Sequence, residues 1–423
     1  MRMKSALLQD LQYRGLINDS TDLEGLDDLL NSEKVTLYVG FDPTADSLHI
    51  GHLLPIIMLR RFQLAGHQPI ALIGGATGMI GDPSGRTSER QLQSLETVQE
   101  NVEAIKKQIA SFLDLEGENA AILVNNYDWT HNLSVLDFLR DFGKHFGVNY
   151  MLAKDTIASR LETGISYTEF SYTILQAMDF NHLFKEYNCR LQVGGSDQWG
   201  NIISGLDLIR KLHGPEEKVY GLTVPLVTKS DGTKFGKSAG GAVWLDPTKT
   251  TPYEMYQFFI NTADEDVINF LKIFTFLDKE EIDALEEKVK TEPHLREAQK
   301  ALAKEVVTFV HGIKAYEQAV KITEALFSGD VIDLSKDEIE TAFKGVPSIE
   351  LGEATDIVSA LVMCGAASSK RQAREFLNNN SIRINGDVVN DLDLIVDHSV
   401  AIGNEYVVVR RGRKNYFLIR LGF

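Results

Sequence analysis

The chain has 423 residues, is 43% hydrophobic and 24% charged, and carries a net charge of −17. That length exceeds one ordinary core and predicts two or three domains, while no apolar run approaches bilayer length and the acidic balance argues against a general nucleic-acid binder. Two distant cysteines, Cys189 and Cys364, supply neither a disulfide framework nor metal-type spacing and fit a reducing cytoplasm.

Residues 1–18 read as an amphipathic helix, with charges inside the apolar pattern and no small-residue cleavage site. Short apolar runs follow at 35–41, 69–75, 121–127, 190–195 and 219–227, with helical patterns between them. Such alternation predicts a parallel sheet wrapped by helices. Ligands then sit at the carboxyl ends of the strands. The segments FDPTADSLHIGH, GGATGMIGDPSGR, NNYDW and GGSDQWGN occupy those positions.

His49 and His52 flank Ile50 and Gly51 at an expected helix start. Unpaired N–H groups and the positive dipole end favour an anion there. Two imidazoles add donors for phosphate oxygens, and Gly51 lets a flat group approach the backbone. No third His or Cys accompanies the pair with metal-ligand spacing. Pro55, four residues inside, is expected to loosen this first turn. GGATGMIGDPSGR lacks the Gly-Lys-Ser/Thr ending of a P-loop, so it more simply shapes a pocket wall ending in Asp82. Arg86 and Arg90 beyond it suit a phosphate, an RNA end or a solvated face equally.

Tyr172, Gln176 and Asp179 share one stripe of an otherwise apolar helical stretch. Burying them is costly unless they find partners, within the protein or on a polar ligand. Tyr38, Gly40 and Asp42 alternate onto one face of a strand, so Tyr38 is expected to meet Asp179 across the pocket floor. Downstream, Lys234 and Lys237 lie in a glycine-rich loop that reads as mobile and able to close over a triphosphate.

Residues 247–325 show helical spacing throughout, and a Pro/Gly/acid-rich connection is expected over 326–355. Residues 356–423 carry nine Lys/Arg against seven Asp/Glu, leaving −19 on the rest of the chain. Their cations cluster in KRQAR and RRGRK, and a local patch binds phosphates whatever the distant charge, because screening acts within about 10 Å.

The HIGH element, followed far downstream by a Lys-x-x-Lys-Ser loop, resembles the class I aminoacyl-tRNA synthetases. Phe235 and Gly236 replace the commoner Met and Ser, while the lysine spacing and Ser238 are kept. Together, VTLYVGFDPTADSLHIGH, FSYxxLQAxDF, LQVGGSDQWGN and TKFGKS resemble the bacterial tyrosyl-tRNA synthetases along essentially the whole chain. That resemblance implies a Rossmann-like α/β catalytic domain over 1–246, an all-helical domain over 247–325, a linker over 326–355 and a small S4-like α+β RNA-binding domain over 356–423.

The resemblance also implies site roles. Tyr38 and Asp179 read the tyrosine hydroxyl, Tyr172, Gln176 and Asp82 hold its ammonium, and Gln198 contacts the substrate carboxylate region. Thr44, His49, His52, Lys234 and Lys237 carry the chemistry on ATP. Gly40, Asp42, Gly51, Gly195, Asp197 and Ser238 complete the nucleotide site. Lys370, Arg371, Arg374 and Arg383 face tRNA. Mg²⁺ accompanies ATP, no resident metal is expected, and the chain is expected to be a homodimer. A tryptophanyl relative, another nucleotidyl-transferring enzyme and a non-catalytic RNA binder on the same fold are the competing readings.

Overall fold

The computed structural model describes residues 3–238 and 241–423, with Lys237 described by its backbone alone. The chain divides into two compact units. One comprises Met1–Thr250 with Phe259–Val306, the other Thr251–Phe258 with Val307–Phe423.

The first unit is built on a six-stranded sheet. Its strands are β1 (Asp19–Ser20), β2 (Thr36–Phe41), β3 (Gln68–Ile73), β4 (Ile122–Asn125), β5 (Cys189–Gly195) and β6 (Tyr220–Val224), in the order β1-β6-β5-β2-β3-β4. All neighbouring pairs are parallel except β1 with β6. The five apolar runs legible in the sequence thus become β2 to β6. The two-residue β1 is too short to show a pattern. The order reverses direction at β2, whose neighbours are β5 and β3, so a crevice opens at the carboxyl ends of these strands.

Three helices position the site: α1 (Leu53–Leu64), α2 (Tyr172–Tyr187) and α3 (Trp199–His213). Buried apolar side chains line α1 on nearly every face, including Leu53, Ile56, Ile57, Met58 and Phe62, so it is a core helix. Pro55 does not disturb it. The segment Ile50–His52 forms a separate 3₁₀ turn and α1 starts at Leu53, so the missing N–H of Pro55 falls among the four that every helix leaves unpaired. Tyr38, Ile70, Phe180, Leu183, Ile202 and Leu206 form a common core between the sheet and α2 and α3. Helix α4 (Asp264–Phe274) belongs to the same unit.

The second unit contains a five-stranded sheet of β7 (Ser348–Leu351), β8 (Ile382–Ile384), β9 (Asp387–Val388), β10 (Tyr406–Arg411) and β11 (Asn415–Leu421), ordered β9-β8-β10-β11-β7. Helices α5 (Ile357–Met363) and α6 (Lys370–Asn378) pack on one apolar cluster with Val407, Val409 and Ile419. A second cluster joins Tyr406, Val408 and Leu418 to Ile322, Val331, Leu334, Ile339 and Phe343. Alternate residues of β10 therefore serve two cores, as the period of a strand dictates.

Two expectations about organisation change. The helices expected over 247–325 form, but they are shared between the units: Lys279–Thr291 lies in the first and Ile313–Ser328 in the second. The stretch 326–355 is no free connection. It holds the helix Lys336–Ala342 and strand β7, which pairs in parallel with β11. Its Pro, Gly and acidic residues obscured four widely spaced apolar anchors, whose burial becomes evident only in three dimensions.

Candidate active site

Tyr38, midway along β2, and Asp42, in the turn that follows it, both meet α2, through Phe180 and Tyr172 respectively. The Tyr38 ring packs on Phe180 with centroids 5.4 Å apart, and its side chain is 1% exposed. Its hydroxyl has no hydrogen-bond partner among the described residues. A buried hydroxyl left in that state costs roughly 1–3 kcal/mol. Burial and the neighbouring Asp179 carboxylate push its ionisation well above the usual phenol value.

Asp179, one residue before Phe180, is also buried. Its Oδ2 accepts from Asn126 Nδ2 and its Oδ1 from Trp129 Nε1, each at 3.0 Å. Burial raises the carboxyl to about 7 even though both donors favour the charged form. Asn126 is fully buried. It accepts from the amide of Ala76 at 2.7 Å and donates onward to Thr77 Oγ1 at 3.0 Å. Thr77 Oγ1 in turn donates to Asp42 Oδ1 at 2.7 Å, and Tyr172 OH donates to Asp42 Oδ2 at 2.6 Å. One chain of hydrogen bonds thus runs from Trp129 through Asp179, Asn126, Thr77 and Asp42 to Tyr172. Burial raises Asp42 to about 6 against the pull of its two donors.

A third acid completes this wall. Asp82 Oδ2 accepts from Gln198 Nε2 at 2.8 Å, and Asn201 Nδ2 donates to Gln198 Oε1 at 3.2 Å. Asp197 is raised by burial and then by the nearby Asp82. Gln176, half-buried one helical turn after Tyr172, shares its face. These elements therefore bring together four acids (Asp42, Asp82, Asp179 and Asp197), two phenols (Tyr38 and Tyr172) and four carboxamides (Asn126, Gln176, Gln198 and Asn201), a surface suited to a cationic amine and a hydroxyl.

The histidine turn forms the other end. His49 caps it: its Nδ1 accepts from Gly51 N at 3.0 Å, and His52 Nδ1 accepts from His49 N at 3.2 Å. Both Nδ1 atoms being acceptors, each neutral ring carries its proton on Nε2 and can donate it. Burial holds His52 down at about 3, so it is neutral at physiological pH. The rings lie 4.1 Å apart. Gly40, at the exposed end of β2, leaves open space where a side chain would stand. Gly195 closes β5, where a Cβ would strike Asp197 Oδ1. Thr44 is exposed just beyond Asp42, to whose carbonyl its amide donates at 2.9 Å.

The lysine loop is brought to this turn. Ile50 N donates to Val243 O and Leu245 N to Leu48 O, both at 2.9 Å, so the chain leaving the loop is zipped to the chain entering the histidine turn. A Cβ on Gly236 would stand 3.6 Å from Gly51 N. Phe235 packs among Phe259, Phe270 and Phe274, at 4.8 Å and nearly parallel to the last. The loop expected to be mobile thus has a centre held by aromatic packing, because the half-buried Phe235 sets its ring against two phenylalanines of α4. Lys234 is exposed. Lys237 and Ser238 form a short ribbon with Gly241–Ala242. The Lys237 side chain lies outside the described residues.

The chain matches the family model described as tRNA synthetases class I (W and Y) over residues 30–328, and the C-terminal domain of tyrosine–tRNA ligases over 338–419. It is 59% identical over 417 residues to tyrosine–tRNA ligase 2 of Bacillus cereus, covering 98% of this chain and all of that relative. The Staphylococcus carnosus tyrosine–tRNA ligase is 60% identical, covering 99% of this chain and all of its own length. The chain belongs to the tyrosyl-tRNA synthetase family. Among solved structures, a C-terminally truncated mitochondrial tyrosyl-tRNA synthetase of Aspergillus nidulans superposes with a TM-score of 0.70 at 34% identity, covering 77% of this chain and 94% of that one.

Two further placements complete the synthetase's predicted residues. Lys370, Arg371, Arg374 and Arg383 are all exposed, the first three on α6 and the last on β8, where its Nη1 donates to Gly386 O at 2.9 Å. Arg86 is exposed, whereas Arg90 Nε donates to the carbonyl of Asp82 and its amide to Glu169 Oε1 at 3.0 Å. Sequence reasoning missed Asn126, Thr77 and Trp129. The only signals were the positions of NNYDW, which holds Asn126 and Trp129, and of GGATGMIGDPSGR, which holds Thr77, after strand ends.

Proposed function

We propose that this chain joins L-tyrosine to tRNA(Tyr) in two steps, forming tyrosyl-adenylate from tyrosine and ATP with release of pyrophosphate, then transferring the tyrosyl group to a hydroxyl of the terminal ribose of the tRNA with release of AMP. Membership of the tyrosyl-tRNA synthetase family supports the activity. One observation supports the specificity: the buried, unpartnered Tyr38 hydroxyl beside Asp179. A substrate phenol would satisfy both. Phenylalanine would leave the Tyr38 hydroxyl unpaired and bring Asp179 no further donor beyond Asn126 and Trp129, and sites of this kind reject the analogue lacking the hydroxyl by orders of magnitude, with the tyrosyl enzymes themselves the standard example.

In the mechanism, Asp82, Tyr172 and Gln176 hold the ammonium and Gln198 steadies the carboxylate for attack on the α-phosphorus. Thr44 and the Nε2–H groups of His49 and His52 receive phosphate oxygens, with Gly40, Asp42, Gly51, Gly195, Asp197 and Ser238 shaping the nucleotide cleft. Lys234 and Lys237 neutralise the departing pyrophosphate. No covalent enzyme intermediate is needed, since charge stabilisation and alignment carry the rate. Among the described residues no group of three or more His, Cys, Asp or Glu is arranged to hold a metal ion. Mg²⁺ would enter with ATP, as the family resemblance implies, and no step above is routed through it.

Residues 1–246 carry activation chemistry in this reading, and the module over 356–423 contacts tRNA through Lys370, Arg371, Arg374 and Arg383. The enzyme acts as a cytoplasmic homodimer. Val135, Leu136, Val148, Leu161 and Tyr167 are each more than half exposed, and the contact with the second copy is proposed to run through them. Leu136→Asp should convert a dimer to a monomer in sedimentation equilibrium, and a wild type sedimenting as a monomer would reject the dimer.

Pyrophosphate exchange into ATP, run separately with each of the twenty amino acids, tests the whole. Exchange with tyrosine alone is expected. Exchange with tryptophan only, or with none, overturns the assignment.

A further inference from the structure

We propose that His182 is a positioning residue for tyrosine recognition, its imidazole holding the Trp129 indole so that the indole N–H stays on Asp179. The two rings are stacked, with centroids 4.1 Å apart and planes within 13°. Trp129 comes from the short helix Tyr127–Thr130 after β4, while His182 lies on α2 one turn beyond Asp179. The stack therefore ties a single-turn helix to the long helix that carries the carboxylate.

The dependence follows from the hydrogen-bond inventory. Asp179 has two side-chain donors among the described residues, Asn126 on Oδ2 and Trp129 on Oδ1. Asn126 is locked by its own bonds to Ala76 and Thr77 and is fully buried. Trp129 is half-buried and its indole N–H is spent on Asp179, so its orientation rests on packing. One contact is the core cluster containing Tyr38 and Phe180, and another is the His182 ring. Burial lowers His182 from its ordinary value, which keeps the stacked ring neutral at physiological pH. Removing the imidazole would free the indole to turn. Asp179 Oδ1 would then drift from the spot where it receives a phenol, without any change at the histidine turn or the lysine loop.

This inference rests on the tyrosine pocket proposed above. Pyrophosphate exchange of His182→Ala should show KM for tyrosine raised about three- to tenfold, with KM for ATP unchanged and the preference for tyrosine over phenylalanine reduced. His182→Phe, which restores a stacking plate, should return KM for tyrosine to within about twofold of wild type. In a Trp129→Phe background, which has no N–H to position, His182→Ala should add nothing. An unchanged tyrosine KM in His182→Ala, a parallel rise in the ATP KM, failure of His182→Phe to rescue, or additivity with Trp129→Phe would each overturn the role. Asp179→Asn separates the two levels. If it leaves tyrosine KM and discrimination untouched, the pocket reading itself falls; if it impairs both while His182→Ala does not, only the role of His182 falls.

Discussion

Asp179 is pulled two ways: Asn126 and Trp129 donate to it, yet burial leaves its carboxyl at about 7. A raised carboxyl has a definite consequence for stability. The unfolded chain loses this proton near pH 4 and the native state only near 7, so between those values the native state binds more protons and stability falls as pH rises. Above 7 both states are ionised and the penalty is constant. Asp179→Asn does not titrate. Wild type should therefore lose ground to Asp179→Asn between pH 4 and 7, by at most about 4 kcal/mol, and run parallel above that. Urea melts at pH 4.5, 6 and 8 measure it, and a difference independent of pH would show that Asp179 is not held neutral. At this scale the sequence revealed the residues whose types are expensive to bury: Tyr38, Tyr172 and Asp179 announced themselves as polar groups in apolar runs. Asn126 and Thr77 did not, because either is ordinary in a loop, and their importance comes from partners fifty or so residues away.

The turn Ile50–His52 joins strand, helix and loop into one device. Gly51 has a steric role there: a Cβ would stand 2.6 Å from Cε1 and 2.8 Å from Nδ1 of the His49 ring that caps the turn, so the ring would have to move. Gly236 has φ +111°, which side-chain-bearing residues rarely adopt. Gly51→Ala should displace the His49 ring and lower the rate of adenylate formation at least about tenfold, since each 1.36 kcal/mol lost from the transition state has that effect. Tyrosine affinity, measured by equilibrium dialysis without ATP, should stay within about twofold. A loss of tyrosine binding would mean that the turn supports the whole pocket. Strands and long helices were legible because periodicity accumulates over five or more residues. The anchored state of the loop was not, because Phe235 finds its aromatic socket on α4 and on Phe259, segments distant in sequence. The 3₁₀ turn that accommodates Pro55 likewise has too few residues to carry a period.

Across the whole chain, charge is segregated: the body is acidic, while the C-terminal region is close to neutral and exposes its cations on α6. Arg371→Glu with Arg374→Glu should raise KM for tRNA about tenfold or more and flatten its salt dependence, while pyrophosphate exchange is unchanged. Equal damage to both reactions would assign the arginines to folding. The same scale explains why the stretch 326–355 was misread. Its composition is that of a tether, but β7 seals the outer side of β11 and the residues from Ile322 to Phe343 roof the far face of that sheet. Anyone dissecting this enzyme therefore has a natural place to cut and a wrong one. A fragment beginning at 356 would expose the flank of β11 and strip the cover from Val408 and Leu418, inviting stacking between molecules and precipitation. A fragment beginning near 313 would keep both seals, although it gives up Thr251–Phe258 of the same unit, whose Tyr253 packs on that cluster, and it should precipitate less readily than the fragment beginning at 356.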